Sequence, residues 1–370
     1  MNRRIMIYVQ HLLGLGHLKR MSLLADSLSV AGAEVLLVSG GMPARHVQPS
    51  GSVTFHQLPP VRAIDENFSG LADEYGAAVT DSFKAERTGQ LLEAFTRFQP
   101  DTLVVELFPL GRRQMRFELL PLLDAARPVC ETIACSVRDI VNRRPKREEE
   151  SIDWLNEFFD FLLVHGDEKY TPISDSVAGI RAFKGRTAHT GYLTESWNCK
   201  AERHNEILVS AGGGAAGEPL FRAAAGASRL TGPDLSWRIR HGINASSSLI
   251  AELHQIAAPG AIIEPVTNDF RMRLSQCALS VSQFGYNTAM DIFATGSPAI
   301  VIPFQGSNET EQIRRAEALG GGNMTILRTS DLDAGNLAAA IADNIGRQND
   351  TPHTINMDGL HRTTELLLGD

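Results

Sequence analysis

The chain has 370 residues, which is long for one core and makes two domains the starting expectation. Its apolar share of 43% is that of a globular protein, and no apolar run approaches the ~20 residues of a membrane span. The formal net charge is −8, with 23 Lys+Arg against 25 Asp+Glu up to residue 200 and 12 against 18 after it, so neither half has the basic character of a general nucleic-acid binder. The four cysteines, Cys130, Cys135, Cys199 and Cys277, form no CxxC pair, and the N-terminus enters a strand-like run at once, without a signal-peptide plan. Reduced thiols and a cytoplasmic location are the expectation.

In chain order, Ile5–Val9 reads as a short buried strand and Leu18–Ala31 as a helix. Glu34–Val38 and Val53–Leu58 read as strands, and Pro59–Asp81 fits no period and reads as a loop near the site. Phe83–Phe98 has helical spacing, followed by a buried strand at Thr102–Val105. Arg113–Ala126 is helical, Val129–Ser136 a strand, Ile152–Phe159 a helix and Phe161–Val164 a strand. Such βαβα alternation predicts a mainly parallel sheet covered on both faces, with right-handed crossovers.

The polar stretch Thr194–Asn205 lacks apolar periodicity and reads as a linker, after which the pattern restarts. Strands are predicted at Glu206–Ser210, Leu235–His241, Ala261–Glu264, Ala278–Ser282 and Pro298–Ile302. Helices are predicted at Pro219–Leu230, Ser247–Ala257, Asp269–Gln276, Asn287–Thr295, Glu309–Leu319, Leu332–Ile345 and Asp358–Leu368, the last packing across the junction. The expected organisation is α/β: an N-terminal Rossmann-like domain over residues 1–193, a linker over 194–205, and a C-terminal Rossmann-like domain over 206–370, the two facing a central cleft. The linker is then a hinge about which the domains close.

Three glycine turns stand where a strand ends and a helix begins, the place where unpaired N–H groups hold anions. The first is Gly14-Leu15-Gly16-His17, which puts an imidazole at or near the first turn of a helix. His17 there is either a helix cap or a general base, its charged form disfavoured by the helix end. The spacing is neither GxGxxG nor a P-loop. The second turn is Ser210–Gly217, containing Gly213 and Gly214. The third is Gly285-Tyr286-Asn287-Thr288, with Asp291 one turn further on. Asn287 or Thr288 either caps the helix or, with its N–H groups, holds a diphosphate. Asp291 has the reach of a ribose-binding acid, and Glu311 and Gln312 that of sugar-hydroxyl ligands or of a solvated first helical turn.

Two basic clusters, Arg112, Arg113 and Arg116, then Arg143, Arg144, Lys146 and Arg147, are either solvated faces or a dock for an anionic acceptor or membrane surface. The run Glu148-Glu149-Glu150 counts against the dock.

These residues resemble glycosyltransferases of the two-Rossmann-domain GT-B fold, most closely the family-28-like branch that includes the N-acetylglucosaminyltransferase of the peptidoglycan lipid precursor. The match is most specific at Gly285–Asp291, Gly296-Ser297-Pro298-Ala299, Pro303 and Glu311-Gln312, against a family pattern of roughly G-x-N-[ST]-x-x-[ED], G-x-P, P and [DEQ]-Q. The resemblance implies that Asn287 and Thr288 hold the donor diphosphate, Asp291 the ribose, and Glu311 and Gln312 the transferred sugar. It implies that Phe270, with Asp269, lies beside the base, and that Gly14, Gly16, Ser210, Gly213, Gly214 and Gly285 belong to the donor-binding turns. Two departures stand out. Gln283 occupies a position where plant-type relatives have histidine, and Asp291 replaces the commoner glutamate. The string Gly14–Arg20 is also similar to the GxGHxxR start of nucleotide-sugar hydrolases of the same fold.

The implied activity is inverting, metal-independent transfer from a nucleotide-sugar, with uridine the family default, to an acceptor hydroxyl. His17 is the base and Glu106 its orienting carboxylate, with Asp139 the second choice. Hydrolysis of the nucleotide-sugar is the alternative. No cofactor and no nucleic-acid partner are implied, and peripheral membrane contact through the N-terminal domain would suit a lipid acceptor.

Overall fold

The computed structural model describes residues 3–65, 69–143, 145–199, 201–211, 217–242, 245–306, 309–322, 324–346 and 354–369. The chain divides into two units: residues 1–195 with 355–370, and residues 196–354. The passage between them falls inside the predicted linker. The expected extent of the second domain, 206–370, needs correction at its end, because the last sixteen residues return to the first unit.

The first unit opens with β1 (Arg4–Val9), α1 (Gly16–Val30), β2 (Glu34–Ser39) and β3 (Thr54–Gln57). A small hairpin of β4 (Arg62–Ala63) and β5 (Leu71–Ala72) follows, within the stretch that showed no period. Then come α2 (Asp81–Phe98), β6 (Thr102–Glu106), α3 (Arg116–Ala126), β7 (Thr132–Arg138), α4 (Glu148–Phe158), β8 (Phe161–His165) and β9 (Arg186–His189). The sheet is parallel in the order β3-β2-β1-β6-β7-β8-β9. Ile5 to Val9 and Leu103 to Val105 are wholly buried, the near-continuous apolar signature of central parallel strands covered on both faces. β9 was not predicted: Arg-Thr-Ala-His is an edge strand, half-buried or exposed, and lacks an apolar run.

The second unit runs β10 (His204–Ser210), α5 (Glu218–Ala227), β11 (Ser236–His241), α6 (Ser247–Ile256), β12 (Ile262–Pro265), α7 (Phe270–Gln276), β13 (Cys277–Ser282), α8 (Tyr286–Thr295), β14 (Ala299–Val301), α9 (Glu311–Leu319), β15 (Met324–Ile326) and α10 (Ala334–Asn344). Its parallel sheet has the order β12-β11-β10-β13-β14-β15. Three residues are too few to show a period, so the edge strand β15 escaped the sequence reading. Asp333 caps α10 by accepting from the Asn336 N–H at 2.7 Å.

The final helix, α11 (Gly359–Leu368), packs on α1 in the first unit. Leu367 joins the core cluster that holds Leu18, Met21, Leu24 and Leu28, and Arg3 Nε donates to the Leu368 carbonyl at 3.0 Å. Among the described residues no helix is long and apolar enough to cross a membrane.

The strand orders locate the chemistry. In each sheet the chain starts in the middle, builds outward to one edge, then crosses back to the other side of the starting strand. The reversal lies between β1 and β6 in the first unit and between β10 and β13 in the second. Open parallel sheets bind ligands at the carboxyl ends of the two strands flanking such a switch point, because the loops there diverge and leave a crevice.

Candidate functional site

The two strands at the first switch point end at Val9 and Glu106. The loop from β1 turns through Gly14 and enters α1, whose second residue is His17. A Cβ added at Gly14 would meet no atom within 4 Å, so this turn borders open space rather than packed protein. The N-cap residue is Leu15 and no side chain caps the helix, so His17 is not spent on capping. Instead its Nδ1 lies 2.5 Å from Glu106 Oε1. Glu106 is the last residue of β6 and only 1% exposed, whereas the imidazole keeps 12% exposure. Asp139, the second choice, is buried and accepts from the Ile140 N–H at 2.9 Å.

Charge fixes the direction of this bond. Arg20, one turn after His17, is 2% exposed and donates Nη2 to the same Oε1 at 2.9 Å. Burial by itself raises the Glu106 carboxyl, but His17, Arg20 and Arg112 outweigh it and hold it below the usual carboxylate range. Burial pushes His17 down, opposed by Glu106 and reinforced by Arg112 and Arg20. The resting pair is therefore a carboxylate and a neutral imidazole. Arg20 Nη2 also lies 3.2 Å from Nδ1, but the carboxylate contact is the shorter and a carboxylate only accepts, so it calls for the imidazole proton on Nδ1 and the lone pair on Nε2.

A buried scaffold lies behind the pair. Arg112 Nε donates to the Gln10 carbonyl at 2.7 Å. Gln10 Oε1 in turn accepts from Arg87 Nη2 at 2.7 Å. Arg87 is wholly buried and forks onto Glu118, with Nε to Oε2 at 2.6 Å and Nη2 to Oε1 at 3.0 Å; Tyr8 also bonds Glu118. This network ties the end of β1 to α2 and α3. Of the two basic clusters, Arg112 faces inward, Arg113 pairs with Glu150 and lies over the Trp154 ring, and Arg143 donates to the Asp175 carbonyl. Arg116, Lys146 and Arg147 stay exposed, and Arg144 lies outside the described residues.

In the second unit the switch-point strands end at Ser210 and Ser282. Ser210 is buried, and its carbonyl accepts from the Gln283 N–H at 3.1 Å. Gly213 and Gly214 lie outside the described residues. Gly285 is the N-cap of α8, with no side-chain cap and open space where a Cβ would project. Half-buried Asn287 and Thr288 therefore sit in a first turn that no side chain closes, the arrangement that binds an anion through backbone N–H groups.

The other expected donor residues are held more tightly than the sequence suggested. Asp291 is 5% exposed, and its Oδ1 is engaged by Arg271 through Nε at 2.7 Å and Nη2 at 2.5 Å. Phe270, half-buried, is the neighbouring first residue of α7. Glu311 is 3% exposed and accepts from the wholly buried Arg315 Nη2 at 2.6 Å, so it is not a solvated first-turn acid. Gln312 Oε1 accepts from two backbone N–H groups, those of Phe284 and Phe304, each at 3.0 Å. Arg315 Nη1 meets the Phe284 carbonyl at 3.2 Å. Both polar groups of the residue before Gly285 are thus satisfied by α9.

Sequence reasoning missed Arg20, Arg271 and Arg315. Arg20 lies at i+3 from His17 and Arg315 at i+4 from Glu311, spacings that place side chains on one helix face and were a readable signal. Arg271 had no comparable signal, because its partner lies on another helix.

Residues 247–356 match the family model of the glycosyltransferase family 28 C-terminal domain. The chain is 26% identical over 180 residues to the UDP-N-acetylglucosamine–N-acetylmuramyl-(pentapeptide) pyrophosphoryl-undecaprenol N-acetylglucosamine transferase of Corynebacterium efficiens, covering 47% of this chain and 45% of that protein. The chain thus spans about half the length of the curated relative it matches. Among solved structures, MurG of Acinetobacter baumannii superposes with a TM-score of 0.63 at 13% identity over 100% of both chains. A calicheamicin glycosyltransferase superposes at 0.62 and 14%, over 100% of this chain and 94% of that one. A spinosyn rhamnosyltransferase complexed with thymidine diphosphate superposes at 0.58 and 14%, over 98% and 95%. At these identities the likeness is one of fold.

Proposed function

We infer that this chain, a family-28-like glycosyltransferase of the GT-B fold, moves a sugar from a nucleotide-sugar, with a uridine nucleotide as the first choice, to an acceptor hydroxyl, inverting the anomeric carbon without a metal. The observation that carries the reading is the buried Glu106 carboxylate 2.5 Å from Nδ1 of His17 at the switch point of the first unit. His17 Nε2 takes the hydroxyl proton as the acceptor oxygen bonds to the anomeric carbon. The bond from that carbon to the diphosphate breaks, and its electron pair leaves on the diphosphate oxygen. Glu106 stabilises the imidazolium as it forms, the role a carboxylate plays in other base–acid pairs. The N–H groups at the start of α8 meet the leaving-group charge. In this reading Asn287 and Thr288 take the diphosphate, Asp291 the ribose, and Glu311 and Gln312 the sugar, with Phe270 beside the base.

The test is a panel of nucleotide diphosphate sugars offered with hydroxyl acceptors, run on the native chain and on His17→Ala. Loss of roughly 10²–10⁴-fold in kcat with donor binding intact is expected. An unchanged rate in the variant removes His17 as the base. A second reading, nucleotide-sugar hydrolysis, is favoured by the string Gly14–Arg20, whose Arg20 is built into the pair. Fast release of free sugar with no acceptor present decides for it. Peripheral membrane contact through exposed Arg116, Lys146 and Arg147 belongs to the case of a lipid acceptor, and co-sedimentation with anionic vesicles checks it.

A further inference from the structure

Arg20 is bonded at both ends of the base assembly. Its Nη1 meets the Gly16 carbonyl at 3.3 Å, on the turn that carries His17, and its Nη2 meets Glu106 Oε1 at 2.9 Å. His17 and Arg20 thus share a single carboxylate oxygen, while Oε2 is buried with no hydrogen-bond partner among the described residues. A carboxylate in such a site stays ionised only with compensation, and the neutral imidazole supplies a hydrogen bond to Oε1 but no net charge. The other groups facing the pair are Arg112 from the loop after β6, His11 from the loop after β1, Cys135 on β7 and His165 at the end of β8, while Arg138 at the end of β7 acts on Arg112. Burial keeps His11 and His165 neutral and raises the Cys135 thiol, so none of these three supplies a cation. Arg112 is anchored on the Gln10 carbonyl. Arg20 is the cation whose bond to the carboxylate the geometry records.

We propose that Arg20 is a positioning residue of the base: by holding Glu106 ionised and aimed at Nδ1, it keeps the His17 proton on Nδ1 and the lone pair on Nε2. The inference rests on the reading of His17 as base. Its chemical content is a choice of tautomer. If Glu106 gained a proton, its O–H would donate to Nδ1, the imidazole proton would move to Nε2, and the lone pair facing the acceptor would be lost.

The test needs no substrate. In protein labelled with ¹⁵N-histidine, the His17 signals are identified by their loss in His17→Ala, and tautomer and titration are followed from about pH 8 downward while the chain stays folded. The native chain is expected to show protonated Nδ1 and bare Nε2 throughout. In Arg20→Met the Nε2–H tautomer of neutral His17 should appear, as Glu106 takes up a proton. Arg20→Lys, which keeps the charge, should restore the native pattern. If Arg20→Met does not fold, Arg20→Gln serves, since it keeps a donor and drops the charge. A native tautomer in a folded charge-free variant overturns the proposal. The base reading is judged separately, by the turnover of His17→Ala.

Discussion

Glu106 is among the most buried acids of the chain, yet it sits below the usual carboxylate range because three cations or cation-forming groups surround it. The same burial that confines it keeps His17 neutral at neutral pH, the state that its proposed role as base requires. A pH dependence of stability follows. His17 and His165 are both held below the ordinary histidine value of 6.5, His165 at about 3, by burial. As pH falls below about 6.5, the unfolded chain binds protons that the folded chain refuses, so stability is full above that value and is lost on acidification. Each such proton contributes a slope of about 1.4 kcal/mol per pH unit. Glu106, also depressed, adds to the loss further down in pH. Urea unfolding between about pH 7 and 4 measures this. A flat profile there contradicts the buried neutral state of both histidines.

Among the elements, α9 works as a brace for the N-terminus of α8. Gln312 accepts the N–H of Phe284 and of Phe304 on one oxygen, and Arg315 takes the Phe284 carbonyl. Gln312→Ala leaves two backbone donors without that partner, so the second unit should lose about 1–3 kcal/mol per orphaned group in a chemical melt. Donor affinity by calorimetry should weaken with it, through displacement of the Gly285 turn. If affinity falls while stability holds, Gln312 acts on the sugar directly and the brace is secondary. The resemblance made Glu311 and Gln312 legible as important, and the i+4 spacing to Arg315 was readable, but the bond from Phe284 was hidden, since that partner lies 28 residues back.

For the whole molecule, the return of residues 355–370 to the first unit makes the C-terminus part of the platform that carries His17. Truncation after Thr354 should lower Tm by several degrees, since it removes Leu367 from the core around α1 and the bond from Arg3 to Leu368. Differential scanning calorimetry checks this, and an unchanged Tm means that α11 contributes nothing to α1. The sequence by itself determined the alternation of strands and helices and the strand-to-helix turns at Gly14–His17 and Gly285–Thr288, because these follow from local periodicity. Short edge strands such as β9 and β15 lacked that periodicity and were lost. Only the tertiary structure decided which strands stand together. Glu106 meets His17 because β6 crosses back beside β1, a choice made by sheet order rather than by any local preference. The same holds for Arg87 on Glu118 and Arg271 on Asp291, where partners far apart in the chain are joined because a buried charge must find its opposite.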